Sequence, residues 1–316
     1  MRILFIGTGD IGVPSLEMLA KSGEHSLVGV VTQPDKPVGR HQEIVATPVK
    51  KLALQYGIPV FQPEKIRAES ALSEIQNLKP DLIVVMAYGQ ILPQAVLDAP
   101  SVACLNLHAS LLPRHRGASP IQAAIEAGDL ESGITVMHVS AGLDEGDVLL
   151  SKKIPILRRE TGGSLHDRLA ALSPVALVEA LSIISQGNLP RVPQDPAQVT
   201  YAAKLTRENG HIDWSADAIV IDRKIRAMNP WPASYTTLPG GNLQPRKLKV
   251  FSAILCRKSS GPVGEVLRAD KHGLLVGCGS GALLLRSIQL EGKRRMSLRE
   301  FLPGHPVAPG TVLGGA

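Results

Sequence analysis

The sequence predicts an α/β protein, with a sheet rich in parallel strands followed by a small β-barrel. Three observations predict it. Through the first half of the 316 residues, apolar strand-like runs alternate with helical stretches, a pattern that needs a mainly parallel sheet covered on both faces. Residues 188–197, carrying Pro190, Pro193 and Pro196, then break the alternation with an extended segment. Beyond it lie short strand candidates punctuated by Gly and Pro, which read as a small barrel. The expected organisation is a catalytic domain at 1–188, a linker at 189–206 and a C-terminal domain at 207–316.

In chain order, residues 2–6 read as a strand and 12–22 as a helix closed by Gly23. Residues 27–32 are again strand-like. Thr47-Pro48 opens a second helix, Thr as N-cap and Pro at the first helical position, and Gly57 ends it. Residues 81–86, 102–107 and 133–139 are further buried strands, and an amphipathic helix runs from Ser164 to near Gly187. After the linker, 216–228 reads as a helix capped by Ser215 and stopped by Asn229-Pro230. Strand candidates follow at 233–238, 248–255, 264–268, 273–277 and 282–288.

The strand at 102–107 runs into Asn106-Leu107-His108-Ala109-Ser110-Leu111-Leu112-Pro113-Arg114-His115-Arg116-Gly117. Alternation puts Cys104, Asn106 and His108 on one face of it. An amide and an imidazole presented together are either core polar groups satisfied by the following loop, since unpartnered burial is costly, or part of a site. A second cluster, Ala141-Gly142-Leu143-Asp144-Glu145-Gly146-Asp147, flanks carboxylates with glycines, as suits a tight functional loop. Ligands of parallel sheets bind beyond the carboxyl ends of the strands. Asn106, His108 and the loop at Asp144 are all expected at that edge.

Gly7-Thr8-Gly9-Asp10-Ile11-Gly12 is a GxGxxG placed between a strand and a helix, the context of a dinucleotide fingerprint. That fingerprint also needs an acidic residue at the end of the second strand. Here the strand runs into Gln33 and Pro34, and Asp35 sits behind the proline. An NAD(P)-dependent oxidoreductase is therefore the weaker reading, and a Gly-rich turn at a sheet's switch point can serve other ligands.

Charge is uneven. Residues 201–316 hold 17 Lys and Arg against 8 Asp and Glu, while the first 200 hold 17 against 20. A basic C-terminal third on a mildly acidic body points to a polyanionic partner or to a solvated basic face; a non-catalytic RNA-binding module is a further alternative. The three cysteines lack CxxC spacing, arguing against a disulfide framework or a zinc site. His25, His41, His138, His166 and His272 show no metal-like pairing, so no metal is expected. No uninterrupted apolar run approaches the roughly 18 residues of a membrane span, and the amino terminus enters a strand without a charged leader. A cytoplasmic protein with no membrane association is expected.

The NxHxSLLPxxRG run and the later GLDxGD loop resemble the folate-dependent formyltransferases. The resemblance spans essentially the whole chain, including Ala87-Tyr88-Gly89-Gln90-Ile91-Leu92-Pro93 and Arg226-Ala227-Met228-Asn229-Pro230-Trp231-Pro232, and the last segment with the full length is similar to the longer members. It implies a Rossmann-like catalytic domain, an OB-like barrel and formyl transfer from 10-formyltetrahydrofolate to the α-amino group of methionyl initiator tRNA, with no obligate protein partner. It assigns the catalytic trio to Asn106, His108 and Asp144. For folate it implies Ser110, Leu111, Leu112 and Pro113 along the ligand, with the backbone around Met86, Tyr88 and Gly89 and the loop holding Asp144 lining the pterin pocket. For tRNA it points to the loop at Arg40, and the charge balance adds the basic residues of the last third: Lys204, Arg246, Lys247, Lys249, Lys293, Arg294 and Arg295. Members usually have GTPxF at the amino-terminal turn, so Gly9 and Ile11 depart from the pattern. After Arg40 they usually continue Gly-Lys-Lys-Leu, where this chain has His41-Gln42-Glu43-Ile44, losing two positive charges. The nearest rival is a formyltransferase acting on a nucleotide amino sugar, a group typically fused to a second catalytic domain.

Overall fold

The computed structural model describes residues 1–38, 42–240 and 243–314. The chain divides into two compact units. The first comprises Met1–Pro120, Glu131–Pro155 and His166–Ala203; the second comprises Ile121–Leu130, Ile156–Leu165 and Lys204–Ala316.

The first unit is built on a seven-stranded sheet in the order Val148–Pro155, Glu131–His138, Ala103–His108, Leu82–Met86, Arg2–Gly7, Ser26–Val31, Val60–Phe61. The last five pair in parallel. Alternate residues feed two buried layers: Leu4, Ile6, Ile83, Val85 and Cys104 share one cluster, while Ile3, Phe5, Val84 and Leu105 are buried on the other face. Burial on both faces is why these strands read as unbroken apolar runs. Thr47 Oγ1 accepts from Lys50 N at 3.1 Å, so the predicted cap is made. The helix Val13–Ser22 ends at Gly23, whose φ of 65° needs no Cβ there.

Two strands depart from the parallel pattern. Glu131–His138 runs antiparallel to Ala103–His108, with His138 opposite Leu105 and Thr135 opposite His108. Val148–Pro155 turns back along it as a hairpin. The carboxyl end of Glu131–His138 therefore lies away from the edge where Ala103–His108 ends, contrary to the expectation that the loop at Asp144 simply extends from that edge. The loop instead folds back along the sheet before its chain re-enters at Val148.

The helix Gly162–Ser185 is the described helix long and apolar enough, by length and composition, to cross a membrane. Uninterrupted runs missed it because Asp167, Arg168 and Glu179 punctuate the sequence. Its buried residues Leu169, Ser173, Ala176, Leu177, Ala180 and Leu181 recur at three and four, the spacing of an amphipathic core helix. Ser173 Oγ meets the equally buried Ser15 Oγ at 2.7 Å.

In the second unit a curled antiparallel sheet runs Ser234–Gly240, Leu243–Cys256, Ala282–Leu290, Gly273–Gly277, Val266–Asp270. The terminal segment bonds both edges: Val266 N donates to Thr311 O at 2.8 Å and Gly314 N to Thr237 O at 2.9 Å. Leu248, Val250, Leu274, Leu283 and Leu285 fill the inside, and buried Trp214 donates Nε1–H to Thr236 Oγ1 at 2.9 Å. The helix Ala218–Ala227 starts after Asp217, two residues beyond the predicted cap. Ser215 Oγ donates to Asp213 at 2.6 Å instead, closing its own turn.

Candidate active site

Strand alternation and the hairpin loop bring Asn106, His108 and Asp144 together. Asn106 Nδ2 lies 3.4 Å from Asp144 Oδ1, and His108 Nδ1 lies 3.5 Å from Asp144 Oδ2. The backbone N–H of Gly117 donates to Asp144 Oδ2 at 2.9 Å. On its other side, His108 Nε2 is 2.9 Å from the carbonyl of His115. A carbonyl only accepts, so Nε2 carries a proton there, and Nδ1 is the nitrogen facing the carboxylate.

The loop after His108 is shaped to make this possible. Ser110 Oγ donates to Arg114 O at 2.7 Å, and Thr135 Oγ1 donates to Ser110 O at 2.7 Å. These bonds fold residues 109–115 back so that Arg116–Gly117 returns beside the imidazole. Gly117 has φ 117°, and a Cβ on it would meet Ala202 O at 2.5 Å, so only glycine fits. Asp144 itself has φ 48°, a left-handed conformation that costs a residue with a Cβ about 1–2 kcal/mol and that Asp tolerates better than most.

Cys104 shares the face of Asn106 and His108, but burial pushes its thiol up to about 12. At neutral pH it stays a thiol and not the nucleophilic thiolate. Among the described residues no group of three His, Cys, Asp or Glu side chains is placed to hold a metal ion.

The GxGxxG turn spends its donors on protein. Thr8 N and Gly9 N both donate to Ala87 O, at 3.2 and 3.3 Å, and Thr8 Oγ1 donates to Tyr88 O at 3.1 Å. A Cβ at Gly7 would meet Met86 O at 2.7 Å. These glycines seat the loop that follows Leu82–Met86, and two N–H groups that a dinucleotide phosphate needs are occupied. Asp35, the nearest acidic residue, is bound by Lys50 Nζ at 2.6 Å and Gln62 Nε2 at 2.7 Å. The lysine, then the amide, hold its carboxyl below the usual range.

Among the residues expected to contact folate, Leu111, Leu112 and Pro113 are half-buried and Gly89 is exposed. The side chains of Met86, Tyr88 and Ser110 are buried. Burial pushes the Tyr88 hydroxyl up to about 12. A polar cleft of about 390 Å³ is lined by Arg116, His138, Ser140, Glu145, Asp147 and Arg191. None of those seven residues lines it.

In the second unit, Lys247 and Lys249 are two apart on Leu243–Cys256, opposite in parity to the buried Leu248 and Val250. Lys247 Nζ sits 4.1 Å from the centre of the Tyr235 ring. Lys293, Arg294 and Arg295 are exposed on the turn after Ala282–Leu290, a strand whose end adjoins Lys247 through the bond from Glu291 N to Lys247 O. Arg295 Cζ lies 4.3 Å over the Phe251 ring. Arg246 shares the parity of Leu248 and pairs with buried Leu238, which takes it off the face of the two lysines. Lys204 is exposed at the start of the unit's last segment. Arg40 and His41 lie outside the described residues.

Sequence reasoning missed Gln194. Its amide nitrogen donates to Asp144 O at 2.9 Å and Gly146 O at 2.8 Å, and its oxygen accepts from Arg116 Nε at 3.0 Å and Nη2 at 2.8 Å. A lone glutamine in a proline-bearing stretch carries no local pattern that would have singled it out.

The pattern described as formyl transferase matches residues 1–181, and its C-terminal domain matches residues 204–306. A methionyl-tRNA formyltransferase of Methylacidiphilum infernorum is 49% identical over 315 residues, covering 99% of this chain and 98% of the relative. A solved N-formyltransferase of Helicobacter canadensis, in complex with folinic acid and dTDP-3-aminofucose, superposes with a TM-score of 0.68 at 17% identity, covering 94% of this chain and 100% of that one. HypX of Aquifex aeolicus, in complex with tetrahydrofolic acid, superposes with a TM-score of 0.63 at 21% identity; the match covers 96% of this chain and 47% of the longer HypX.

Proposed function

The chain belongs to the formyl transferase family, and from that premise we propose that it transfers a formyl group from 10-formyltetrahydrofolate to the α-amino group of methionyl initiator tRNA. The observation that carries the chemistry is the meeting of Asn106 and His108 with Asp144. The acceptor rests on relatives of that name at near-full coverage of both chains.

In this reading the neutral amine attacks the formyl carbon, an oxyanion forms, and the C–N bond to folate breaks. The amine loses a proton and the folate nitrogen gains one. An α-amino group of pKa about 8 has a useful neutral fraction at pH 7, so a strong base is unnecessary. Asn106 has an N–H to offer the oxyanion, a contribution typically worth about 10²–10³ in rate. His108, with Asp144 beside Nδ1, takes the proton from the amine and returns it to the leaving nitrogen, the carboxylate stabilising the charged ring in between. The surface at Gly89 and Leu111–Pro113 receives the folate. The basic turn and strand at Lys247, Lys249 and Lys293–Arg295 grip tRNA phosphates without reading sequence.

The likeness to a structure bound to dTDP-3-aminofucose supports a second acceptor, a nucleotide amino sugar. Incubation with 10-formyltetrahydrofolate and either methionyl initiator tRNA or an amino sugar nucleotide separates the two. Formylation of the tRNA alone is the expected result; formylation of the sugar alone reverses the assignment.

A further inference from the structure

The chain beyond the long helix is anchored along the first unit. Val148 N and Val192 O bond at 2.8 Å and Val192 N and Val148 O at 3.0 Å, while Arg116 N donates to Thr200 O at 2.9 Å. Between these anchors Gln194 uses its whole amide. Both N–H groups go to carbonyls of the Asp144 loop, Asp144 O and Gly146 O. The oxygen takes two N–H groups from Arg116, whose side chain is only 8% exposed. The amide cannot be reversed, because its oxygen would then face two carbonyls and its nitrogen a guanidinium.

What it holds is a turn that faces solvent. Gly142, Leu143 and Glu145 beside Asp144 are exposed, with Leu143 at 56%, and Asp144 is in the left-handed conformation. The carboxylate of Asp144 is met by Gly117 N–H, the residue after Arg116. Arg116–Gly117 and Gln194 therefore grip Asp144 from its two ends.

We propose that Gln194 is a positioning residue for formyl transfer, fixing the turn that sets Asp144 against His108, so that the segment after the long helix belongs to the catalytic machinery. The proposal rests on the assignment of Asp144 to the catalytic trio. A displacement of an ångström in such a group costs about a hundred-fold in rate.

The test uses the full-length protein with Gln194→Ala, Gln194→Glu, Asp144→Asn and the Gln194→Ala/Asp144→Asn double variant. Gln194→Glu keeps the length and the acceptor for Arg116 but removes both donors to the loop. Gln194→Ala and Gln194→Glu are expected to lower kcat about ten- to a hundred-fold, with folate KM changed less than about two-fold. In the Asp144→Asn background, Gln194→Ala should add no further loss. Thermal unfolding of each variant verifies that it is folded, and Gln194→Glu carries the result if Gln194→Ala is not. Wild-type kcat in Gln194→Glu, or losses that multiply in the double variant, overturn the proposal while leaving the trio standing. Full turnover in Asp144→Asn removes the trio assignment, and the proposal with it.

Discussion

The two units handle charge in opposite ways. In the first, buried His108 and half-buried Asn106 converge on one carboxylate, which also accepts from the backbone N–H of Gly117, while Gln194 holds the backbone carbonyl of the same residue. In the second, Lys247, Lys293, Arg294 and Arg295 are exposed, and two of the cations rest on the rings of Tyr235 and Phe251. The first arrangement is directional, and each group has one position in which it works. The second is additive: phosphates respond to the density of positive charge near them, and any one cation can be replaced by its neighbours. Chemistry on one carbon needs the former; a grip on a long polyanion needs the latter.

The largest effects should come from the directional site. Asn106→Ala and His108→Ala should each lower kcat by about 10²-fold or more, with kcat falling further than KM rises. Thermal unfolding measured alongside separates lost chemistry from lost stability, since removing a buried polar partner can itself destabilise. Near-normal turnover in both variants would break the comparison at its first term.

Gly117→Ala should come next. Its Cβ meets Ala202 O at 2.5 Å and its φ of 117° disfavours any side chain. A stability loss of about 1–3 kcal/mol is expected, with lower kcat as the N–H bond to Asp144 loosens. An unchanged melting temperature would show that the Arg116–Gly117 segment is more plastic than its surroundings imply.

On the additive side, Lys247→Glu with Lys249→Glu should weaken tRNA binding at low salt and flatten the slope of log K against log salt by about one for each phosphate no longer neutralised. Arg246→Glu should do less than either lysine change, because its strand parity is that of the core. Equal slopes in wild type and the double variant would show this face to be merely solvated. An equal effect of Arg246→Glu would show that strand parity does not matter to the grip.

The smallest effect concerns pH. Burial, opposed by the bond to Pro190 O and aided by the charge of Arg191, lowers the pKa of His138 from 6.5. The unfolded chain therefore takes up that proton first as pH falls, and stability should decline as pH drops below about 6.5, levelling off once the folded form is protonated as well. His138→Gln should reduce the fall in melting temperature between pH 7.5 and 5. An unchanged fall would assign the acid sensitivity to His25, lowered chiefly by burial as well, or to the carboxylates.

Local rules made much of the chain legible. Thr47-Pro48 and Gly23 act as written, because caps and left-handed closures depend on a few neighbouring residues. The shared face of Asn106 and His108 follows from a period of two. Two features were not legible. The short hairpin Lys36–Val38 with Glu43–Val45 has charged, half-polar strands and no periodic signal. The antiparallel direction of Glu131–His138 depends on the path of the chain between it and Ala103–His108, which composition does not encode. Part of the segment expected as a linker belongs to the first unit, where Thr200 O and Ala202 O accept from Arg116 N and Ala118 N.

By itself the sequence determined the alternating sheet, the punctuated barrel, the pairing of Asn106 with His108 on one face and the basic character of the last third, because each is written in residues adjacent or periodic along the chain. Only the tertiary structure decided how Asp144 reaches His108, that the glycines of the amino-terminal turn seat Ala87, and that Gln194 holds the Asp144 loop. Gln194 stands 50 residues from Asp144 and 78 from Arg116. Pairings at such separations are set by strand order and direction, which no local pattern of residues reports.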